Sequence, residues 1–227
     1  MNVKKIENKR PKILLAMPVA KGDIALETFN SVLGLDFSGS IRAFSGSLVD
    51  DAREQLALDA IEQGFDYVMW VDSDMVFESD ALNRLLDAKK DIVTGLCFKR
   101  VPPYTPAIYD KKGIYLDYPK DWIFPVEACG FAFVLTKVSA LKEVYDEYGT
   151  MFSRAYPYGE DISFCKRWKS LEQKKGLLNK YEIWCDSRVK IGHIGSTIVT
   201  EKSYELVKER LLEQKECQER EEATITK

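Results

Sequence analysis

Two aspartates, Asp72 and Asp74, stand one residue apart directly after an apolar run at residues 65–71, FDYVMWV. Aromatic and branched residues of this kind favour a buried strand. Carboxylates at alternate strand positions point the same way, and two of them near a core need a neutralising partner. Hard divalent cations prefer carboxylate oxygens and bridge them to phosphates. The pair indicates metal-dependent chemistry on a phosphate-bearing substrate, with a solvated turn as the simpler alternative.

A second acidic pair, Glu160 and Asp161, follows Tyr158 and Gly159 and opens a predicted helix at residues 161–171. Carboxylates at a helix start ordinarily cap free backbone amides, which is the alternative interpretation here. In a chain that also carries Asp72 and Asp74, the pair suggests a general base presented to an acceptor hydroxyl. Such a base must lie within hydrogen-bond reach of the proton that it removes.

The single histidine of the chain, His193, lies in the segment KIGHIG at residues 190–195. A lone histidine is most often a packed or surface residue. Its neighbours Gly192 and Gly195, however, allow backbone to approach a ligand closely. A neutral imidazole beside an aspartate suits a borderline metal such as Mn²⁺.

The elements that would position these residues alternate between strand and helix. Apolar runs predict strands at residues 12–19, 40–44, 65–71 and 91–98, with helices at 23–33, 47–64 and from Ser79 onwards. This alternation predicts a mostly parallel sheet covered on both faces. Ligands of such sheets bind beyond the carboxyl ends of the strands, where Asp72 and Asp74 are expected.

Side-chain patterns define the two helices around the first acidic pair. Ser47 and Asp50 are spaced like a capping box, and Gly64 is a suitable helix terminator. An apolar stripe is predicted on the first of these helices, formed by Leu48, Ala52, Leu56 and Ala60. Ser79 is expected to cap the second helix, with Leu82, Leu85 and Leu86 facing inward.

The second half of the chain is less regular. Prolines and tyrosines at residues 100–125 predict an irregular hairpin, and its aromatic residues (Tyr104, Tyr109, Trp122 and Phe124) would either stack on a ligand or cover the core. Strands are predicted at 126–136, interrupted by Gly130, and at 183–185 and 189–191, and a helix at 139–148. A charged helix at 201–222 has a sparse apolar stripe of Tyr204, Val207, Leu211 and Leu212, which either docks onto the domain or forms a homodimer.

Composition excludes several protein classes. The 227 residues carry a net charge of −3, so no overall basic field indicates nucleic-acid or membrane binding. The five cysteines are scattered without a CxxC pair, which indicates reduced thiols rather than a disulfide framework or a structural zinc site: Cys97, Cys129, Cys165, Cys185 and Cys217. No apolar run reaches membrane-spanning length, and no apolar signal core opens the chain. A cytoplasmic protein without a membrane span is the expectation.

Taken together, these motifs resemble the GT-A-fold glycosyltransferases, in particular the family-2-like enzymes that use nucleotide-diphosphate sugars. The resemblance is carried by a first strand ending in MP, the helix SLVDDAREQLALDAIEQG, the VDSDM segment, GED before a helix and a late GHIG. It covers residues 12 to 197. It implies an α/β fold with a Rossmann-like, mostly parallel central sheet flanked by helices, in one GT-A domain at 12–200. A flexible segment at 1–11 and a charged helical tail at 201–227 complete the predicted organisation.

The resemblance also implies roles for the matching residues. Asp72 and Asp74 would bind a divalent metal, Mn²⁺ or Mg²⁺, that bridges the donor diphosphate, with Asp74 the more direct ligand. His193 would complete the metal site. Of the pair Glu160 and Asp161, Asp161 is favoured as the catalytic base, which would give an inverted product; a retaining mechanism stays open.

Four further residues are candidates for donor binding. Arg53 would contact the donor phosphates or be a solvated helix residue, and Lys99 and Arg100 would hold diphosphate or acceptor. Gly130 lies in a segment that resembles the loop beneath the donor sugar. The family often reads the nucleobase with an acidic residue after the second strand, and residues 44–46 (FSG) offer none. UDP-sugars are favoured over GDP-sugars as donors, and the acceptor stays open among glycans, small molecules, proteins and modified DNA bases.

Two other functions remain as alternatives. A nucleotidyltransferase acting on sugar phosphates also pairs aspartates with a metal, although the turn at residues 17–22, MPVAKG, poorly matches the glycine-rich loop of such enzymes. A non-catalytic protein of the same fold would bind sugar nucleotides or glycans without turnover. A donor assay distinguishes the three functions. A glycosyltransferase releases nucleoside diphosphate, a nucleotidyltransferase releases pyrophosphate, and a non-catalytic protein only binds.

Overall fold

The computed structural model describes residues 10–19, 22–196 and 198–225, with side chains described up to residue 217. Residues 1–9 of the predicted flexible segment therefore lie outside the described residues, as do Ala20, Lys21 and Thr197 of the sequence motifs. The proposed division of the chain at residues 11/12 and 200/201 stays a prediction.

The chain alternates strands and helices through its first half, as the sequence predicts. The helices are α1 (Leu26–Leu33), α2 (Val49–Glu62), α3 (Ala81–Asp87), α4 (Val138–Tyr148), α5 (Glu160–Lys175) and α6 (Glu201–Ile225). The strands are β1 (Lys12–Val19), β2 (Ser38–Ser45), β3 (Tyr67–Val71), β4 (Met75–Val76), β5 (Ile92–Leu96), β6 (Ile108–Asp110), β7 (Gly113–Ile114), β8 (Ile123–Val126), β9 (Ala128–Cys129), β10 (Phe133–Lys137), β11 (Ile183–Lys190), β12 (Gly192–Ile194) and β13 (Ile198–Val199).

A seven-stranded sheet of order β2-β1-β3-β10-β5-β11-β8 forms the centre of the fold. Strands β2, β1, β3, β5 and β11 run in one direction, while β10 and β8 run against their neighbours. Two small three-stranded sheets, β13-β12-β4 and β7-β6-β9, lie beside it. In the second of them, β6 and β7 lie within the predicted irregular hairpin at residues 100–125, and β9 follows it.

Both faces of the central sheet are buried, which explains why β1 is apolar at nearly every position. Leu14 and Ala16 pack into the cluster that includes α2, α4 and α5, whereas Ile13 and Leu15 pack into the cluster that includes α1 and α3. Alternate strand side chains point to opposite faces, so a strand buried on both faces must be apolar throughout. The mostly parallel sheet, covered by helices on both faces, is confirmed.

The predicted capping residues are wrong for two helices. Helix α2 has Leu48, not Ser47, at its N-cap, with no side-chain capping bond. The Ser47 hydroxyl donates to the Leu48 carbonyl instead, and the Asp50 carboxylate accepts from Arg154. Leu48 is 64% exposed and so does not belong to the buried stripe. Ser79 likewise lies one residue before the cap of α3, which is Asp80.

One predicted break between strands is also wrong. The segments 183–185 and 189–191 form one strand, β11, whose register against β5 shifts between Asp186 and Lys190. Asp186 looks like a strand breaker in the sequence, yet its carboxylate is fully buried and accepts three hydrogen bonds from Arg188. The predicted interruption of the strand 126–136 at Gly130 is confirmed, because β9 pairs with β6 while β10 enters the central sheet.

The first turns of α6 pack against the irregular segment. The buried Tyr204 donates its hydroxyl to the carbonyl of Leu116, and Lys208 pairs with Asp117 at 2.6 Å. Leu211 and Leu212 are partly buried against the core, and Phe124 covers it, whereas Trp122 is 67% exposed. Docking of α6 onto the domain is therefore seen, and homodimer formation stays a prediction. None of the helices in the described part of the chain combines the length and apolar character that spanning a bilayer requires.

Candidate active site

The loop from Asp72 to Asp74 follows β3 at the carboxyl edge of the central sheet, as predicted. Hydrogen bonds hold its backbone at each of its three residues. The Asp72 N–H donates to Ala132 O (3.0 Å), and Asp74 O accepts from Ile194 N–H (2.8 Å). Between them, Ser73 O accepts from Ala25 N–H (2.9 Å) and from Thr28 Oγ1 (3.1 Å). The loop is thus fixed by the residue before β10, by the start of α1 and by β12. Because every residue of the loop is anchored, the two carboxylates are presented in a fixed geometry.

Arg53 of α2 joins the two acidic clusters. Its Nη2 donates to Asp72 Oδ1 at 2.7 Å, and its Nε donates to Glu160 Oε1 at 3.4 Å. Only 3% of the Arg53 side chain is exposed, and the guanidinium lies beside the rings of Trp70 and Phe131, 5.7 and 5.8 Å from their centroids. The alternative of a solvated helix residue is therefore wrong.

The buried charges of this cluster shift one another's pKa values. Burial raises the pKa of Asp72, although Arg53 opposes this shift. Burial by itself would lower the pKa of Arg53, but the charges of Asp72 and Glu160 outweigh it and raise that pKa. The Nη1 atom of Arg53 is buried and has no hydrogen-bond partner among the described residues. The cluster of one arginine and the carboxylates that it contacts carries a net negative charge, which favours binding of a cation nearby.

Asp74 and His193 face each other across the loop. His193 lies on β12, which pairs with β4 so that His193 is opposite Met75, the residue after Asp74. The His193 Nδ1 lies 2.7 Å from the carbonyl oxygen of Phe98, and its Nε2 lies 3.2 Å from Asp74 Oδ2. Since a carbonyl oxygen only accepts, Nδ1 must be the donor, which leaves Nε2 directed at the carboxylate.

This arrangement requires a positive species between the two side chains. A carboxylate oxygen and an unprotonated Nε2 are both acceptors and repel each other at such a distance, unless a proton or a metal ion joins them. Burial would lower the pKa of His193, but the hydrogen bonds to Asp74 and to the Phe98 carbonyl raise it. Burial would likewise raise the pKa of Asp74, but His193 and Arg100 hold it below its usual value.

The donor set fits a divalent cation that is shared with a substrate. Within residues 10–19, 22–196 and 198–225, no three His, Cys, Asp or Glu side chains converge to hold a metal by themselves. Of the three predicted ligands, Asp74 and His193 come together, while Asp72 is bonded to Arg53. One carboxylate and one oriented imidazole suit Mn²⁺, for which substrate phosphates and water would supply the other ligands, whereas Mg²⁺ would use only the carboxylate.

Glu160 and Asp161 begin α5, with Gly159 at the N-cap. Asp161 Oδ1 accepts from the backbone N–H of Ile162 at 2.7 Å, and burial together with the charge of Glu160 raises the pKa of Asp161. A Cβ atom at Gly130 would lie 3.6 Å from Asp161 Oδ2, and one at Gly159 would lie 3.0 Å from Oδ1. Glycine at these two positions therefore leaves space around the carboxylate. The raised pKa suits a proton acceptor better than an ordinary helix cap.

An open cleft of about 360 Å³ contains the first acidic cluster, and its lining includes Asp72, Asp74, Arg100 and Val49. Arg100 Nη1 donates to Asp74 Oδ2 at 2.6 Å. Lys99 is exposed next to it, and its backbone N–H donates to the Thr105 carbonyl. Seven of the nine predicted site residues thus belong to the two acidic clusters or bond to them, Gly130 lies near Asp161, and Lys99 lies on the adjacent turn.

Sequence reasoning missed the residues that hold these side chains in place. The Phe98 carbonyl, which orients His193, and Thr28, which fixes the aspartate loop, carry no recognisable signal. Glu54 accepts hydrogen bonds from the backbone N–H groups of Met151 and Phe152. Arg53 has a signal that could have been used, because it is four residues before Ala57 on the buried side of α2.

Comparison with known proteins supports the fold and does not define a family. No family model matches the chain, and no curated protein sequence matches it. Among solved structures, A197 from STIV is similar with a TM-score of 0.54 and 17% identity, over 81% of this chain and 86% of that one. GalNAc-T7, crystallised with UDP, GalNAc and Mn²⁺, has a TM-score of 0.54 and 12% identity, over 83% of this chain and 45% of that one. The chain therefore has a GT-A fold, and it spans less than half the length of GalNAc-T7.

Proposed function

We propose that the protein is a metal-dependent glycosyltransferase that moves a sugar from a nucleotide-diphosphate sugar to an acceptor hydroxyl. The observation that carries the proposal is the pairing of two sites through one buried arginine. Arg53 contacts Asp72 in the donor cleft and Glu160 beside Asp161. A metal-and-phosphate half and a proton-accepting half are the two parts that glycosyl transfer by direct displacement needs.

The donor half would consist of Asp74, His193 and the basic residues of the cleft. Asp74 and His193 would hold Mn²⁺, which when bound neutralises the charge that develops on the leaving diphosphate. Arg100 would bind phosphate oxygens, since it lines the cleft beside Asp74, and the exposed Lys99 next to it in sequence would add a second positive charge. UDP-sugars are favoured as donors, and the presence of UDP and Mn²⁺ in the GalNAc-T7 structure supports this class.

The acceptor half would consist of Asp161, with Glu160 held beside it. Asp161 would accept the proton of the acceptor hydroxyl while that oxygen forms a bond to the anomeric carbon and the bond to the diphosphate breaks. Direct displacement of this kind inverts the anomeric centre. The raised pKa of Asp161 supports this role, because a base with a pKa nearer to neutrality accepts a proton more readily.

A thermal-shift panel of nucleotide sugars with and without Mn²⁺ tests the proposal. We expect stabilisation by one nucleotide class only when Mn²⁺ is present, because the metal links the diphosphate to Asp74 and His193. The stabilising donor is then incubated with Mn²⁺, and the released product is identified. Release of nucleoside diphosphate supports a glycosyltransferase, whereas release of pyrophosphate, or binding without turnover to any acceptor, contradicts it.

A further inference from the structure

The carboxylate oxygen that faces His193 is also bonded to a second cationic side chain. Arg100 Nη1 lies 2.6 Å from Asp74 Oδ2, and His193 Nε2 lies 3.2 Å from the same oxygen. Both side chains therefore use the one atom that a metal ion at Asp74 and His193 would also need. Like charges a few ångströms apart repel strongly in a partly buried site. A divalent cation and the Arg100 guanidinium cannot both occupy this position at low cost.

Arg100 is able to leave, unlike the other arginine of the site. Its side chain is 51% exposed, whereas only 3% of the Arg53 side chain is exposed. Exposed ion pairs contribute little net free energy, so a more strongly bound cation replaces them readily. Arg100 also lines the cleft that contains Asp72 and Asp74, so its side chain is already at the proposed donor site.

We propose that Arg100 is an internal counter-cation that occupies Asp74 until a divalent metal displaces it, and that the released guanidinium then binds the donor diphosphate. This inference rests on the proposed donor site. A planar guanidinium fork matches phosphate oxygens in a bidentate arrangement, which a point charge such as lysine does not. Metal loading would thereby free the phosphate-binding side chain, so that the order of binding is metal first and donor second.

The test measures the affinity of the full chain for Mn²⁺ alone, from the electron paramagnetic resonance signal of the free ion. We expect Arg100→Ala and Arg100→Gln to bind Mn²⁺ about two- to fivefold more tightly than the wild type, because no internal cation must be displaced. With Mn²⁺ at saturation, the same variants should bind UDP about three- to tenfold more weakly. The two affinities thus change in opposite directions.

Arg154→Ala is the matched control. Arg154 pairs with Asp50 at 3.1 Å and is 50% exposed, so the variant removes the same charge from an equally exposed ion pair. Val49, the neighbour of Asp50, lines the same cleft. We expect this variant to keep the wild-type affinity for Mn²⁺, because Arg154 has no bond to Asp74.

The outcomes separate this inference from the function on which it rests. If Asp74→Asn abolishes Mn²⁺ binding while both Arg100 variants bind as the wild type does, the metal site stands and the role of Arg100 is refuted. Equal tightening by Arg154→Ala also refutes it, since the effect would then be one of overall charge. If Asp74→Asn leaves Mn²⁺ binding unchanged, the proposed metal site itself is wrong, and this inference falls with it.

Discussion

At the scale of residues, burial separates the roles of the two arginines beside the aspartate loop. The guanidinium of Arg53 is buried beside Trp70 and Phe131 and contacts both acidic clusters. That of Arg100 is half exposed and pairs with Asp74. A buried charge must keep its partners, because the alternative is an unpaired charge in a region of low polarity. Arg53 is therefore expected to hold the site together, and Arg100 to move.

Arg53→Met tests the structural role of the buried arginine. The substitution leaves Asp72 and Glu160 without their shared cation, so we expect the free energy of unfolding to fall by about 3 kcal/mol. Arg154→Ala, which breaks a half-exposed pair, should cost at most about 1 kcal/mol. Chemical denaturation of both variants measures the difference. Equal midpoints for the two would show that the Arg53 cluster does not stabilise the fold.

The acidic residues and the histidine could be selected from sequence, but their connections could not. Asp72 and Asp74 are recognisable because they are charged and directly follow an apolar strand. His193 is recognisable because a possible metal ligand lies between two glycines. The hydrogen bond from His193 to the Phe98 carbonyl spans 95 residues and involves backbone, which has no residue type to recognise. The pairing of Arg100 with Asp74 is also invisible in the sequence, because it arises only when β3 and β5 end at the same edge of the sheet.

At the scale of elements, Glu54 of α2 holds the backbone of the loop before α5, in addition to the ion pair between Asp50 and Arg154. Glu54 accepts from the backbone N–H groups of Met151 (2.9 and 3.0 Å) and Phe152 (2.7 Å) and from the Thr150 hydroxyl at 3.2 Å. Glu54 is adjacent in sequence to Arg53, so α2 fixes both the loop that leads to Asp161 and the arginine that contacts Glu160. The position of the acceptor half therefore depends on α2.

Glu54→Gln should loosen this connection without affecting the metal site. The amide keeps one acceptor atom but loses the charge, so we expect the free energy of unfolding to fall by about 1–3 kcal/mol. Mn²⁺ binding should be retained, because Glu54 contacts neither Asp74 nor His193. Glu147→Gln, which removes an exposed carboxylate paired with Lys174, is the control and should unfold close to the wild type. A loss of Mn²⁺ affinity in Glu54→Gln would contradict this division of roles.

The sequence patterns predict where strands and helices lie more accurately than they predict the first and last residues of each. The apolar strands and the helices between them were predictable because hydrophobic periodicity is a property of many residues together. The cap of α2 was not, since the chain turns one residue after Ser47 and places Leu48 at the N-cap. Strand β11 was divided wrongly because a buried Asp186 that is satisfied by Arg188 has the sequence appearance of a loop.

At the scale of the whole molecule, α6 packs on the irregular segment at residues 100–125 and on Phe98 of the central fold. The aromatic rings of Tyr118 and Tyr204 stack with centroids 6.1 Å apart, and Phe98 lies 5.5 Å from Tyr204. Phe98 also supplies the carbonyl that orients His193. The docked helix thus contacts the residue that positions a proposed metal ligand, which connects the tail to the donor site.

Tyr204→Ala tests whether this docking stabilises the molecule. Removing a buried aromatic side chain should lower the free energy of unfolding by about 3 kcal/mol. Leu206→Ala is the matched control, because Leu206 is on the same helix and is 82% exposed. Thermal unfolding of the two variants gives the comparison. If both melt at the wild-type temperature, α6 does not stabilise the fold through Tyr204.

Glycosyl transfer is the central claim that the fold and the two-part site support. One substitution in each half of the site tests it. The decisive measurement is nucleoside diphosphate release from the donor found in the thermal-shift panel, with Mn²⁺ and acceptor present, alongside donor affinity. We expect Asp74→Asn to lose metal-dependent donor binding and therefore release. Asp161→Asn should bind donor like the wild type and transfer about 10²–10⁴-fold more slowly. Wild-type rates in Asp161→Asn, or unchanged donor binding in Asp74→Asn, would contradict the account.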